Sequence, residues 1–210
     1  MKAKRYAAIV LAAGFSRRMR HFKPLLTLGK ETITDHLMVT FLQNEVEVYL
    51  VVGYRQNELC AGIRTRNIQI VENRDYPQGM LSSVQTGLRS LLAGYQATFI
   101  APVDIPLVHP ATIQRLLIAA EEYPNKVLYP VFHHTRGHPP LVPAALFSAI
   151  LGWQGDGGLK SILHVYEDIA VEVSVPDSNI LFDIDEPSDY KTLLKRFQSD
   201  KIPKKPGGGN

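Results

Sequence analysis

The chain has 210 residues, of which 45% are hydrophobic and 20% are charged, the proportions of a globular protein with one sizeable core. Its formal net charge is +3, but the last ten residues contribute three lysines and no acid, so the remainder is neutral and lacks the basic stripe of a nucleic-acid-binding protein. One cysteine, Cys60, rules out an internal disulfide framework and suits a reducing cytoplasm, and no apolar run approaches the roughly 18 residues of a membrane span.

Apolar runs and helical spacing alternate along the chain. Strands are predicted over residues 6–12, 46–52, 68–71, 97–101, 127–132 and 170–175. Helices are predicted over residues 33–43, 57–64, 81–92, 110–123, 143–151 and 187–197. Because the strands are continuous apolar runs, we expect them to be parallel and covered on both faces. The pattern predicts an α/β fold, a three-layer αβα sandwich around a Rossmann-like, mostly parallel sheet.

We expect one domain over residues 1–198. Residues 199–210 contain prolines, lysines and three consecutive glycines, a composition typical of a flexible tail or linker. The composition leaves open whether this segment is a true terminus or a connection to another domain.

A basic loop follows the first predicted strand. Between Gly14 and Pro24 there is no carboxylate, and the loop carries four cations, Arg17, Arg18, Arg20 and Lys23. A glycine lets the backbone approach an oxyanion closely, and guanidinium and ammonium groups neutralise its charge. The loop therefore fits a polyphosphate, although an ordinary βα loop with a solvated basic face is the alternative. It matches neither the Walker A nor the dinucleotide-binding spacing.

Asp104 lies between Pro102 and Pro106, directly after a predicted apolar strand. Ligands of open α/β sheets bind at the carboxyl ends of the strands, and Mg²⁺ is commonly held by one or two carboxylates together with substrate phosphates. Asp104 is therefore a candidate Mg²⁺ ligand, with a turn or helix-cap aspartate as the alternative. We expect the acidic segment at residues 182–187 to lie at another strand end. The histidines at 133, 134 and 138 share a loop without helical spacing, so zinc is not predicted.

Five ordered segments resemble the motifs of molybdenum-cofactor cytidylyltransferases, part of the wider MobA-like nucleotidyltransferase group. They read LAAGFSRRMRHFKPL at 11–25, GMLSSV at 79–84, PVDIP at 102–106, RGHP at 136–139 and DIDEPSDY at 183–190. The GDGG turn at 155–158 fits as well, and the resemblance spans residues 6–197. One departure is Arg20, which stands where the family usually has glycine and is expected to alter the loop or add a phosphate contact.

The resemblance implies a nucleotide-diphospho-sugar transferase-like fold and a set of site residues. Residues expected at the nucleotide are Leu11, Ala12, Ala13, Gly14, Ser16, Arg18, Lys23, Ser82, Ser83 and Asp104. Among them Lys23, Arg18 and Asp104 are expected to act in catalysis. Asp104 and Asp185 are expected to hold Mg²⁺. Residues expected to face the second substrate are Arg136, Gly137, His138, Pro139, Asp156 and Gly157.

The activity implied by the resemblance is transfer of CMP from CTP to the terminal phosphate of molybdopterin, with release of pyrophosphate. Leu-Ala-Ala-Gly at 11–14 is associated in this group with CTP rather than GTP. A phosphate oxyanion is already a nucleophile, so positioning and charge stabilisation suffice without a general base. The alternatives are GTP as donor, another acceptor such as a sugar-1-phosphate, or a non-catalytic cofactor carrier. A molybdoenzyme or an insertion chaperone is a further expected partner.

Overall fold

The computed structural model describes residues 5–19, 21–91 and 93–200. The strands of these ranges are β1 (Arg5–Leu11), β2 (Thr27–Leu28), β3 (Glu31–Thr32), β4 (Glu47–Val52), β5 (Gln69–Glu72), β6 (Tyr95–Pro102), β7 (Val127–Phe132), β8 (Thr135–Arg136), β9 (Leu141–Pro143) and β10 (Ala170–Ser174). The α-helices are α1 (Ile33–Leu42), α2 (Gln56–Gly62), α3 (Met80–Ser90), α4 (Pro110–Glu122), α5 (Phe147–Leu151), α6 (Gly158–Val165) and α7 (Pro187–Asp200).

The main sheet has the strand order β10-β7-β9-β6-β1-β4-β5, with β8 paired to β7. The pairs β1–β4, β4–β5, β1–β6 and β7–β10 are parallel, whereas β8 and β9 pair in the antiparallel sense. From β1 the chain proceeds to β4 and β5 on one side and later to β6 on the other. This reversal of strand order is a topological switch point, where the carboxyl ends of neighbouring strands leave a crevice.

Two hydrophobic cores lie on opposite faces of the sheet, because successive side chains of a strand point to opposite sides. Ala8 and Val10 of β1 pack with buried side chains of α1, α2, α4 and α7. Ile9 and Leu11 pack with side chains of α3, α5 and α6. Helices therefore cover both faces, and the predicted three-layer, mostly parallel α/β fold is confirmed.

Several boundaries in the second half differ from the sequence-based expectation. The predicted loop after β7 contains the short strand β8. The sequence did not predict β9, and the helix predicted over 143–151 begins only after this strand. The GDGG turn is followed by α6, which was also missed. The expectation that residues 182–187 follow a strand was wrong, because a 3-10 helix, Ser178–Leu181, precedes them.

α7 continues to residue 200, three residues beyond its predicted end. Residues 201–210, and with them most of the predicted tail, lie outside the described residues, as does Arg20. None of the helices in the described ranges is long and apolar enough to cross a membrane.

Candidate active site

A cleft of about 440 Å³ opens at the carboxyl ends of β1 and β6. These two ends are hydrogen-bonded neighbours, and the N–H of Val103 donates to the carbonyl of Leu11. Eight of the residues predicted to contact a nucleotide line the cleft, namely Leu11, Ala12, Ala13, Gly14, Ser16, Lys23, Ser83 and Asp104. The switch point of the sheet thus brings together segments that are separated by up to 93 residues in the chain.

The loop after β1 is held by its own backbone. The N–H of Ala12 donates to Val51 of β4, and the carbonyl of Ala13 accepts from Tyr54. Ser16 adopts a positive φ of 54°, and its hydroxyl oxygen accepts the N–H of Lys23 at 3.1 Å. These bonds direct the chain back toward the sheet, so that Lys23 enters the cleft.

The Lys23 ammonium lies between two carboxylates. Its Nζ is 3.1 Å from Oδ1 of Asp185 and 3.5 Å from Oδ2 of Asp104. The Lys23 side chain is only 11% exposed, whereas Asp104 and Asp185 are 26% and 29% exposed. Such shielding strengthens electrostatic attraction relative to a surface ion pair. The two aspartates predicted as metal ligands are therefore neighbours in space.

Arg18 completes this charged cluster from the solvent side. Its Nη2 lies 2.9 Å from Oδ2 of Asp185, and its side chain is 70% exposed. Because Lys23 contacts the other oxygen, Asp185 is paired with a cation on each side. The predicted phosphate-binding residues and the predicted metal ligands thus form one connected group.

Burial raises the pKa of the Asp104 carboxyl above its ordinary value. The Lys23 ammonium opposes this rise in pKa, and the Asp185 carboxylate adds to it. A second positive charge near Asp104 would further favour its ionised form.

The Asp185 segment is positioned by two sets of backbone hydrogen bonds. The N–H of Ile184 donates to the Asp104 carbonyl at 2.9 Å, which joins the segment to the end of β6. Oδ2 of Asp189 accepts the N–H groups of Asp185 and Glu186 at 2.9 and 2.7 Å. These bonds lower the pKa of Asp189 below its ordinary value. No role in the site was assigned to Asp189 from the sequence.

Asn73 organises the opposite wall of the cleft and was missed in the sequence reading. Its buried amide donates to the hydroxyls of Ser82 and Ser83 at 3.0 and 2.9 Å. Its carbonyl oxygen accepts from the Asp75 N–H and the Thr86 hydroxyl. Asn73 directly follows β5, and a polar residue at a strand end is the signal that could have identified it.

Ser82 and Ser83 differ in position. Ser83 lines the cleft, whereas Ser82 does not. The Ser82 hydroxyl lies 2.9 and 2.8 Å from the backbone carbonyls of Asp75 and Gly79. Ser82 therefore stabilises the turn before α3 in this structure.

A cluster of aromatic rings supports the loop from the side of β4 and β5. The ring centroid of Phe15 lies 5.3 Å from that of Tyr54 and 5.2 Å from that of Tyr76. The Arg17 guanidinium lies over the Phe15 ring at 4.6 Å. Phe15, Arg17 and Tyr76 also line the cleft, and none of them was assigned a specific contact from the sequence.

The segment predicted to face a second substrate is tied to neighbouring elements. The Arg136 guanidinium donates to Glu167 and Glu172 and lies 4.7 Å from the Tyr129 ring centroid. The N–H of His138 donates to the Ile180 carbonyl at 2.9 Å. A Cβ at Gly137 would lie 2.5 Å from that carbonyl oxygen, so glycine permits this close packing.

None of the six predicted second-substrate residues lines the cleft. His138 is exposed and Pro139 is buried, while Asp156 and Gly157 lie in the exposed turn before α6. Contact of these six residues with a second substrate stays a prediction.

The carboxylates of Asp104 and Asp185 fit a hard divalent cation. Each has an oxygen within 3.5 Å of the same ammonium nitrogen, so both can reach one positive centre. Within the described ranges there is no group of three or more acidic, histidine or cysteine side chains that could hold a metal. Two carboxylates are nevertheless sufficient for Mg²⁺ when substrate phosphates and water supply the remaining ligands.

Comparison with known proteins gives a consistent match. A family model, MobA-like NTP transferase domain, matches residues 8–170. The chain is 28% identical over 190 residues to the molybdenum cofactor cytidylyltransferase of Escherichia coli (strain K12), a match that covers 90% of this chain and 95% of that protein. It is 26% identical over 204 residues to a probable molybdenum cofactor guanylyltransferase of Carboxydothermus hydrogenoformans, covering 90% of this chain and 94% of that protein.

The fold is also similar to that of solved structures. The crystal structure of Rv0371c from Mycobacterium tuberculosis H37Rv superposes with a TM-score of 0.83 at 23% sequence identity. The superposition covers 93% of this chain and 100% of that chain. This likeness supports the α/β architecture.

Proposed function

The chain belongs to the MobA-like NTP transferase family and is a nucleotidyltransferase, and we propose that it transfers CMP from CTP to the terminal phosphate of molybdopterin. An oxygen of that phosphate attacks the α-phosphorus of CTP. The bond between the α-phosphorus and the bridging oxygen breaks, and pyrophosphate leaves with the electron pair. One phosphoanhydride bond forms as another is broken, so no oxidant, reductant or general base is required.

The observation that carries this proposal is the position of Lys23, which follows the loop after β1 and lies between Asp104 and Asp185. Nucleotidyl transfer requires positively charged groups at the phosphates of the nucleotide. It also requires carboxylates nearby that bind a divalent cation. A non-catalytic carrier has no need for this combination. The cluster therefore favours an enzyme over a carrier.

In the proposed reaction Lys23 and Arg18 bind the triphosphate. Both cations are already held at the cleft by Asp185, so little side-chain rearrangement is needed when an anion arrives. Preorganised positive charge stabilises the additional charge that develops on the leaving pyrophosphate. The loop after β1, fixed by its bonds to β4, would orient the nucleotide for in-line attack.

Asp104 and Asp185 would hold Mg²⁺, the cofactor we propose. Bound there, Mg²⁺ would neutralise triphosphate charge and restrict the orientation of the phosphates. The Asp189 side chain and the Ile184 N–H would keep Asp185 facing Asp104.

Ala13 supports CTP as the donor. Ala13 is one of the residues that line the cleft and is 3% exposed, and a glycine in its place would leave the volume of its methyl group open. The E. coli relative named above is a cytidylyltransferase, and the relative from C. hydrogenoformans is a probable guanylyltransferase. GTP is therefore the alternative donor.

Pyrophosphate release tests the proposal directly. The purified chain is incubated with Mg²⁺ and each of CTP, GTP, ATP and UTP, with molybdopterin, with a sugar-1-phosphate and without acceptor. We expect release with CTP and molybdopterin and little with the other combinations.

Other results would lead to different conclusions. Preference for GTP would show that GTP, not CTP, is the donor. Release with the sugar-1-phosphate would show that the sugar phosphate, not molybdopterin, is the acceptor. A complete lack of release, with molybdopterin still bound to the protein, would support the carrier.

A further inference from the structure

A second cleft of about 370 Å³ adjoins the nucleotide cleft at the carboxyl ends of β4 and β5. Its lining is mostly polar and consists of Gly53, Arg55, Gln56, Asn57, Glu72, Asn73, Arg74 and Tyr76. Among the described residues that line the two clefts, Tyr76 is the one that they share. The Tyr76 side chain is therefore the partition between them.

The partition is held firmly on both sides. On the side of β4, a Cβ at Gly53 would lie 2.9 Å from the Cβ, Cγ and Cδ1 atoms of Tyr76, so the tyrosine packs directly on the glycine backbone. On the other side its ring meets Phe15 edge-on, with centroids 5.2 Å apart and an interplanar angle of 61°. Edge-to-face contact is a favoured arrangement of aromatic rings.

The backbone around Tyr76 is equally constrained. The N–H of Asp75 donates to the Asn73 side chain at 3.0 Å, and the Tyr76 carbonyl accepts from Gly79 at 3.2 Å. Asn73 is buried and also donates a hydrogen bond to Ser83. The same residue therefore contacts both the segment that carries Tyr76 and the cleft wall at Ser83. These bonds hold the backbone on both sides of Tyr76 in place.

We propose that Tyr76 makes the site selective for a pyrimidine base by closing the nucleotide cleft on the side of the second cleft. The inference rests on the proposed function and takes the base to lie along Gly79, Met80 and Ser83, which line the cleft. A purine is attached to its ribose through the five-membered ring, so its fused six-membered ring extends farther from the ribose than a pyrimidine does. That ring would have to extend beyond the wall, and the Tyr76 side chain occupies the position between the two clefts.

Removal of the ring would join the two clefts. The second cleft offers polar groups of Gln56, Asn57 and Arg74, which can hydrogen-bond the edge of a base. The size of a pocket commonly discriminates between ligands by roughly 10- to 200-fold. We therefore expect Tyr76→Ala to shift the ratio of GTP to CTP affinity toward GTP by at least about tenfold.

The test measures binding, so it does not depend on the acceptor. Isothermal titration with α,β-methylene analogues of CTP and GTP, in the presence of Mg²⁺, gives the two Kd values for the full chain. Tyr76→Phe retains the ring and should keep the wild-type ratio. Tyr54→Ala is the matched control, because Tyr54 belongs to the same aromatic cluster but lines neither cleft.

A Tyr76→Ala protein with an unchanged Kd ratio would overturn the inference, as would an equal shift in Tyr54→Ala. A wild-type protein that prefers the GTP analogue, or binds neither analogue, would overturn it as well. Failure of the proposed function gives a different result. In that case the wild-type protein releases no pyrophosphate with molybdopterin, whereas the titrations still report the role of Tyr76.

Discussion

Replacement of Lys23 by methionine tests the centre of the proposed site. Methionine has a similar reach but no charge, so Lys23→Met removes the ammonium while leaving much of its packing. Asp104 and Asp185, which contact this ammonium at 3.5 and 3.1 Å, would then face each other without it. Lys30→Met is a matched control, because Lys30 lies exposed in the turn between β2 and β3.

The structure sets the magnitude of both effects. At an effective dielectric constant of about 20, unit charges at these separations attract by about 5 kcal/mol, most of which offsets desolvation. We therefore expect the free energy of unfolding to fall by about 1–3 kcal/mol. For catalysis, loss of one preorganised positive group near the developing charge predicts a decrease in turnover of about 10²- to 10³-fold.

Two measurements check this prediction. Pyrophosphate release at saturating CTP and molybdopterin reports turnover, and urea unfolding followed by circular dichroism reports stability. Turnover of Lys23→Met within about threefold of the wild-type value would refute a role at the reacting phosphates. An equal loss in Lys30→Met would show that the effect arises from net charge.

Three further substitutions test other parts of the structure. Asp189→Ala should raise the Mg²⁺ concentration needed for half-maximal activity about tenfold, because the Asp185 segment loses its two anchoring bonds, and a magnesium titration measures this. For Asp35, burial raises the pKa, but hydrogen bonds from Thr65, Thr32 and the Arg64 N–H outweigh it and lower the pKa below its ordinary value. The stabilisation is therefore complete above the unfolded-state pKa of about 3.9 and is lost as the pH falls through the lower folded-state value. Asp35→Ala should lower the free energy of unfolding at pH 7 by about 2–3 kcal/mol. Below pH 4, the free energy of unfolding should fall less steeply with decreasing pH in Asp35→Ala than in the wild type, as measured by denaturation at several pH values. Arg136→Met tests the predicted contact with the second substrate, and a KM for molybdopterin about tenfold higher would support it. A KM within about twofold, with lower stability, would show that the guanidinium serves only Glu167 and Glu172.

Most of the fold could be predicted because its signals are local. β1, β4 and β6 are continuous apolar runs, and α1 carries the spacing of a buried helical face. β9 was missed because three residues are too few to show a period, and its pairing with β6 connects distant parts of the chain. α6 was missed because its first residue belongs to a glycine-rich turn.

The site could be predicted only in part, for a related reason. Asp104 follows a strand whose end is visible in the sequence, so its place at the cleft could be inferred. The partition made by Tyr76 has no such signal, because it depends on how β4, β5 and α3 pack together. Asn73 follows a strand end, but the sequence does not show which groups its amide contacts. The resemblance to a family identified Asp185, although the reason given for its position, a strand end, was wrong.

The position of Asp185 depends on how α7 packs. The matched family model ends at residue 170, yet Asp185 contacts Lys23, which lines a cleft formed by the first half of the chain. The Tyr190 hydroxyl of α7 donates to the Thr27 carbonyl at 2.7 Å, four residues after Lys23, and Phe197 meets the His36 ring edge-on at 5.0 Å. These contacts join α7 to the segment that carries Lys23, so the two charged partners are positioned by the same interface. Loosening α7 should therefore impair catalysis before it unfolds the sheet, because the sheet's pairing does not involve this helix.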